Sequence, residues 1–536
     1  MVGFACSSDH ACADSHEANP QNEPARRALE DEAAFGAVVD HPYRDVCSRA
    51  HGPDVVHCLA KVRTDDGGNA LLLAAPAGFG PAELRSAYDV PPGASVAGAT
   101  VAIIDAFDDP NAESDLAVYR STYGLPPCTT ANGCFRKVNQ AGAASPLPEP
   151  NGSWASEVAI DTDMVSAICP SCKILLVEAT DATFADLGTA VNTAVRLGAD
   201  VVSNSYGALE TSNATSYDAK YFTHPGVAIF AASGDKGYAT GASYPASGAN
   251  VIGVGGTTLV RSSNARGWAE TVWGSSGAGA AGTGSACSNY APRPAWVTGA
   301  DSPNCPRKTV SDVSAVADPR TGVAVYDTYG GSGWTTFGGT SLGSPIVAAI
   351  FALAGRGDSN GSFIWSHRTA FRDVTSGTNA NGQPASGPAC SAGTNNLCNG
   401  VLGFDAPTGW GTPIASALLS LGSDAGAPVD AGAPIDAGAA PDASGDPTGG
   451  VRPARDAGHG AERDAGAELL DAGIGGDKPQ TNPGESDTTA NGGGSCAMSS
   501  AAPSRAGAAL TLGMLAALVI LRPLRRCRRP DRAKVR

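Results

Sequence analysis

Residues 173–205 read KILLVEATDATFADLGTAVNTAVRLGADVVSNS, and this stretch sets the expected fold. KILLVEA (173–179) and DVVSNS (200–205) are short, apolar, β-rich runs, and the stretch Phe184–Leu197 between them is helical in pattern. Strands without a polar face need cover on both sides, and a strand–helix–strand order returns the second strand parallel to the first. The alternation continues outward in ATVAIID (99–105), GVAIFAAS (226–233) and NVIGVGG (250–256), with helical stretches at Ala112–Tyr123, Trp154–Ile168 and Ser341–Ala354. The expectation is an α/β domain over residues 86–421, a parallel sheet covered by helices on both faces.

The flanks differ in kind. Residues 1–85 are polar and mixed up to the apolar run Ala70–Ala75, and read as a leader or short pro-segment. The opening MVGFACSSDH has no apolar signal core, so export follows another route or the true start lies upstream; Cys6 fits the end of a lipoprotein signal. Residues 422–495 contain six D-A-G triplets, starting at Asp424, Asp430, Asp436, Asp456, Asp464 and Asp471. So small and acidic a tract buries too little apolar surface to fold and reads as a spacer. Within 496–536, Cys496 precedes the apolar run Ala506–Leu521 and a cluster from Arg522 to Arg536. That run is short for a membrane span, but the positive charge behind it suits a cytoplasmic stop.

The formal charge of −16 argues against a nucleic-acid partner, because phosphate binding needs a basic face. Among fourteen cysteines, five close pairs suggest local disulfides and a compartment outside the reducing cytosol: Cys47/Cys58, Cys128/Cys134, Cys169/Cys172, Cys287/Cys305 and Cys390/Cys398. Cys169-Pro-Ser-Cys172 also has the form of half a zinc site, though no second such pair or paired histidines accompany it.

Three segments carry candidate chemistry. In Phe337-Gly-Gly-Thr-Ser-Leu-Gly-Ser-Pro345, glycines allow a tight turn ahead of Ser341, and the helix that follows aims its N–H groups at the surroundings of that serine. Taken alone, the motif reads more readily as an ordinary helix cap than as a nucleophile. Its base is the question, because His224 and His367, the histidines of the α/β region, lack the setting of a triad histidine. Glu157 and Asp161 stand four apart in Trp154–Asp163, so their carboxylates share a helix face and can share a proton. Flanking Val158, Ile160, Val165 and Ile168 indicate partial burial, which with mutual repulsion raises at least one pKa above about 4.3. A solvated acidic face is the alternative. Asp235 in FAASGDKG (230–237) ends a strand; held protonated it would donate to an oxyanion, and otherwise it caps a turn.

In this order, E-x-x-x-D on a helix, S-G-D-x-G after a strand and G-G-T-S-x-x-x-P resemble the sedolisin family of serine-carboxyl peptidases, from about Tyr88 to Leu421. The resemblance implies a subtilisin-like fold and an endopeptidase favouring acidic pH and acting on proteins or peptides. It implies Ser341 as nucleophile, Glu157 as general base, Asp161 as its orienting partner and Asp235 as oxyanion donor. It also implies one structural calcium ion, with side chains from Asp373 and Asp405 and carbonyls from Val374, Val401 and Gly403; Val401 stands where a glycine is common. Asp105 and Tyr206 stand where many relatives carry Glu and Trp, and the region ahead of residue 86 is shorter than the family's usual pro-domain. The tail resembles the Cys-led sorting tails of myxobacterial surface proteins, which implies a cell-surface or extracellular location with a membrane anchor until processing. Two other readings compete: an inactive surface binding protein on a peptidase scaffold, which would not keep all four catalytic positions, and a histidine-dependent subtilisin-type enzyme.

Overall fold

The structure, a computed structural model, describes residues 42–48, 52, 54–238, 241–274, 281–299, 301–302, 304–380, 390 and 395–421. These lie in the first of two units, Met1–Pro434, and the second, Ile435–Arg536, is outside the described residues. So are Cys6, the D-A-G tract and the whole tail from Cys496. Among the described residues no helix is long and apolar enough to cross a membrane.

Three short strands come first, β1 (Tyr43–Asp45), β2 (His57–Cys58) and β3 (Lys61–Arg63). The central sheet then begins with β4 (Thr100–Ala106), β5 (Phe135–Asn139), β6 (Lys173–Ala179) and β7 (Val201–Asn204). After β8 (Tyr206–Leu209) come β9 (Ala228–Ala232), β10 (Ser243–Tyr244), β11 (Ile252–Arg261) and β12 (Trp268–Val272). The order across the sheet is β12-β11-β9-β7-β4-β6-β5, with β15 (Val313–Val316) also paired to β11. Every neighbour is parallel except the antiparallel edge pair β11–β12. The expected doubly covered parallel sheet is therefore present. β5 and β12 were missing from the sequence reading, because FRKVN and WAETV mix polar and apolar residues as edge strands do.

β4 pairs with β6 on one side and β7 on the other, so the strand order reverses there. The carboxyl ends beside such a switch point form a natural crevice, and β4, β7 and β9 all end at it. The helix Gly152–Ile168 packs against β4 and against the helix Gly343–Leu353, while Phe184–Arg196 packs on β6 and β4. Residues Trp154–Ile168 are all buried, more completely than the half-buried face expected from sequence, because neighbouring helices cover the side turned from the sheet. Asn151 caps this helix, its side chain accepting from the amides of Ser153 and Trp154 at 3.1 and 3.2 Å. Gly343–Leu353 is likewise buried throughout, with Phe351 edge-on to Phe230 of β9 at 5.1 Å. Truncating Phe351 to Ala would cost about 3–5 kcal/mol.

The segment ahead of the sheet is threaded into the domain. β2 pairs antiparallel with β8, and β3 pairs antiparallel with both β1 and β17 (Gly333–Gly338), which itself pairs with β16 (Val323–Asp327). All five expected disulfides are formed, including Cys169–Cys172, so the zinc reading of that pair falls.

Candidate active site

Glu157 and Asp161 leave the same face of their helix, and both are wholly buried. Ser341 occupies the turn between β17 and the helix Gly343–Leu353, a turn that needs Gly339 at φ +102°. Ser205, between β7 and β8, connects the two sides. Its hydroxyl donates to Asp161 Oδ1 at 2.7 Å, and its carbonyl accepts from Ser341 Oγ at 3.1 Å. Ser341 also lies close enough to Glu157 to favour its charged form, but the Glu157 carboxyl oxygens make no hydrogen bond within 3.5 Å. A turn of the serine side chain away from the Ser205 carbonyl therefore separates this arrangement from a nucleophile–base pair.

Burial, and then the charges of Asp161 and Asp105, raise the Glu157 pKa well above the ordinary glutamate range. Asp161 is raised by burial against the opposing hydrogen bond from Ser205, and Asp105 by burial with Asp161 and Asp109. Three carboxyls so close in a dry interior cannot all be ionised, so they hold and exchange protons as one system. Tyr206 adjoins it, packed on Trp154 with ring centroids 6.5 Å apart and donating to Asn204 Oδ1 at 2.8 Å.

Asp235 approaches from the end of β9. Its Oδ1 accepts from the Thr340 amide at 2.8 Å and the Thr340 hydroxyl at 2.9 Å, and that hydroxyl accepts from the Gly234 amide at 3.0 Å. Burial raises the Asp235 pKa, while Lys61 and the Thr340 bonds oppose the rise. Its Oδ2 stands free of Thr340 on the side of Gly339, where a Cβ would lie 2.8 Å away. Beside it opens a cavity of about 390 Å³ walled by Gly207, Ser233, Gly234, Asp235 and Gly284.

Neither His224 nor His367 serves Ser341. His224 Nε2 meets the Tyr221 carbonyl at 3.0 Å, and His367 Nδ1 the Phe363 carbonyl at 2.9 Å. His57, in β2, also lines the cleft cavity. Among the described residues no hydrogen bond joins Ser341 Oγ to an imidazole. The structure brings Glu157, Asp161, Asp235 and Ser341 to one end of the sheet together with Ser205 and Thr340, which the sequence did not single out; the SNSYG run at the end of β7 was the available signal for Ser205.

The five residues expected at a calcium site also come together. The Gly403 amide donates to Asp373 Oδ2 at 2.6 Å and the Val401 amide to Asp405 Oδ2 at 3.1 Å. A Cβ on Gly400 would lie 2.7 Å from the Val374 carbonyl oxygen. Burial raises Asp405 well above the usual range, and the Asp373 charge adds to it; Asp373 is pushed up by burial to about 6. Two carboxylates that repel, with carbonyls beside them and no cationic side chain among the groups acting on them, suit a hard cation.

These observations define a subtilisin-like α/β fold in which the serine heading a buried helix faces carboxyl groups in place of an imidazole. Residues 149–411 match the subtilase family. The chain is similar to kumamolisin of Bacillus sp. strain MN-32, 30% identical over 383 residues that cover 65% of this chain and 64% of that protein. It is also similar to sedolisin of Pseudomonas sp. strain 101, 29% identical over 392 residues covering 66% and 63%. The chain thus spans a little under two thirds of the length of these curated relatives. Among solved structures, Pseudomonas sedolisin, a serine-carboxyl proteinase complexed with two molecules of pseudo-iodotyrostatin, matches with a TM-score of 0.54 and 27% identity, covering 65% of this chain and 98% of that one.

Proposed function

We propose that this chain is a serine-carboxyl endopeptidase of the sedolisin type, acting on proteins or peptides through an acyl-enzyme on Ser341. The observation that carries the reading is the link of Ser341 through Ser205 to Asp161, beside Glu157, with no imidazole bonded to the nucleophile. Glu157, as carboxylate, takes the Ser341 proton as the hydroxyl adds to the peptide carbonyl. Asp161 and Asp105 set its proton affinity. Asp235, protonated, donates to the oxyanion beside the Ser341 amide. Glu157 then returns its proton to the leaving amine, and water, deprotonated by the same carboxylate, releases the acyl group.

Three carboxyls that share their protons give up the first of them more readily than the rest, so one carboxylate is available at acidic pH, where an imidazole with a pKa of about 6.5 is already charged. Acidic conditions also keep Asp235 neutral. One calcium ion, held by Asp373, Asp405 and the carbonyls of Val374, Val401 and Gly403, would pin the loop 401–405 to the 373–374 turn. Five disulfides support a location outside the reducing cytosol. We extend this to extracellular or cell-surface display through the tail, with membrane attachment before processing.

The test is turnover of a denatured protein at acidic pH. Ser341→Ala and Glu157→Gln should each abolish it, while a double His224→Ala, His367→Ala variant keeps it. Activity surviving in Ser341→Ala, or lost in the histidine variant, would remove the proposal.

A further inference from the structure

Thr340 stands between the acid Asp235 and the nucleophile Ser341, and it is wholly buried. Its hydroxyl has one hydrogen to give and two lone pairs. A lone pair accepts from the Gly234 amide at 3.0 Å, and the hydrogen goes to Asp235 Oδ1 at 2.9 Å. The Thr340 amide donates to the same oxygen at 2.8 Å. Oδ1 therefore receives two hydrogens, which fill both lone pairs of a carbonyl-type oxygen. A proton on Oδ1 would have to reverse the bond to the hydroxyl. Among the described residues no other acceptor is bonded to that hydroxyl, so its own hydrogen would be stranded in a dry interior, at the cost of a hydrogen bond. The acidic proton of Asp235 thus belongs on Oδ2.

Oδ2 is also the oxygen turned to the reacting carbonyl. It lies 2.8 Å from where a Cβ on Gly339 would stand. The Leu59 carbonyl oxygen, which accepts from the Ser341 amide at 3.2 Å, lies 2.3 Å from the same point. Gly339, at φ +102° and without a side chain, leaves that place open. The charged groups around Asp235 are Lys61 of β3, Asp45 of β1 and Glu157 of the helix Gly152–Ile168, with Lys236 drawn to Asp45 at 2.6 Å. None of them bonds to Oδ1.

We infer that Thr340 is a positioning residue of the reaction: by filling Oδ1 it confines the Asp235 proton to Oδ2, so that the acid meets the developing oxyanion as a donor. The inference rests on the reading of Asp235 under Proposed function. A donor aimed in advance needs no rearrangement as charge develops. Without the hydroxyl, Asp235 carries its proton on either oxygen, and the form with a bare Oδ2 repels the oxyanion. The Thr340 bonds also favour the charged form of Asp235, so removing the hydroxyl raises the Asp235 pKa. Asp235 donates only when protonated, and kcat falls as pH rises through that pKa. A raised pKa therefore moves the alkaline limb to higher pH, whereas simple damage to the site lowers kcat and leaves the limb in place.

The experiment is a kcat–pH profile of the full chain on a denatured protein, with a double-mutant cycle against Asp235→Ala. Thr340→Val keeps the branched shape and loses the hydroxyl, and the smaller Thr340→Ala makes no demand on the surrounding space. Each should lower kcat by about tenfold and move the alkaline limb upward, while Thr340→Ser returns both close to wild type. With Asp235→Ala already in place there is no acid to orient, so adding Thr340→Val should cost less than about twofold. Equal losses from Thr340→Val in the two backgrounds, or an alkaline limb that stays or moves down, overturn the inference and leave the proposed function standing. Wild-type kcat in Asp235→Ala would overturn the oxyanion role of Asp235, and this inference with it.

Discussion

Ser205 donates its hydroxyl to Asp161 at 2.7 Å, and that hydrogen bond is the one interaction pulling the Asp161 pKa back down against burial. Ser205 is thus a positioning residue that joins the proton affinity of the carboxyl system to the resting place of the nucleophile. Ser205→Ala should raise the Asp161 pKa further. Glu157 works as base only when deprotonated, and an Asp161 that is more often neutral withdraws the charge that raises Glu157, so the acidic limb of the kcat profile moves to lower pH. We expect that shift with about a tenfold loss of kcat, and restoration of the limb by Ser205→Thr. An unmoved acidic limb in Ser205→Ala would count against the coupling.

Asp235 has to be protonated to donate, and burial raises its pKa for that purpose. Asp235→Ala should lower kcat by roughly 10²–10³. Asp235→Asn keeps an N–H donor without a titrating proton, so it should lose less and should flatten the alkaline limb of the profile. Equal losses in the two variants would show that no donor acts there.

Acid tolerance should reside in the fold as well as in the site. Glu178 and Asp109 are buried and bonded to each other, the Asp109 amide donating to Glu178 Oε1 at 3.0 Å. Burial pushes Glu178 up to about 9, against Lys137, and Asp109 up to about 7. Both folded-state values exceed the unfolded ones, so the folded chain binds more protons and loses stability as pH rises. The loss begins near pH 4 and continues until pH passes about 7 for Asp109 and about 9 for Glu178. Calorimetry from pH 4 to 9 should show Tm falling over this window, and Glu178→Gln should flatten the upper part of the fall. A Tm that rises with pH would contradict the assignment.

Calcium should stabilise the folded chain by linkage. At about 100 times its Kd the ion would contribute about 2.7 kcal/mol, seen as a rise in Tm that a chelator reverses. Asp405→Asn should abolish the calcium response while leaving the fold intact at low temperature. A Tm unmoved by both chelator and added calcium would remove the ion from the description.

Much of this was legible because it is local. The strand and helix runs from Thr100 to Ala232 declare themselves through apolar character and length, and the four-residue spacing of Glu157 and Asp161 places both on one face. The cysteine pairs were legible for the same reason, since partners 3 to 18 residues apart meet in almost any compact arrangement. Less was legible at the edges. β5 and β12 mix polar and apolar residues, and β2, β3 and β8 are too short to carry a period.

The amino-acid order alone determined the parallel sheet, the buried helices and the chemical types gathered around Ser341, because burial and periodicity act between near neighbours. Only the tertiary structure decided that Ser205 connects base and nucleophile and that Leu59 lies in the cleft. Those relationships join residues far apart in sequence through backbone pairing. Such pairing uses the amide and carbonyl that almost every residue carries, so the sequence holds no distinctive mark of it.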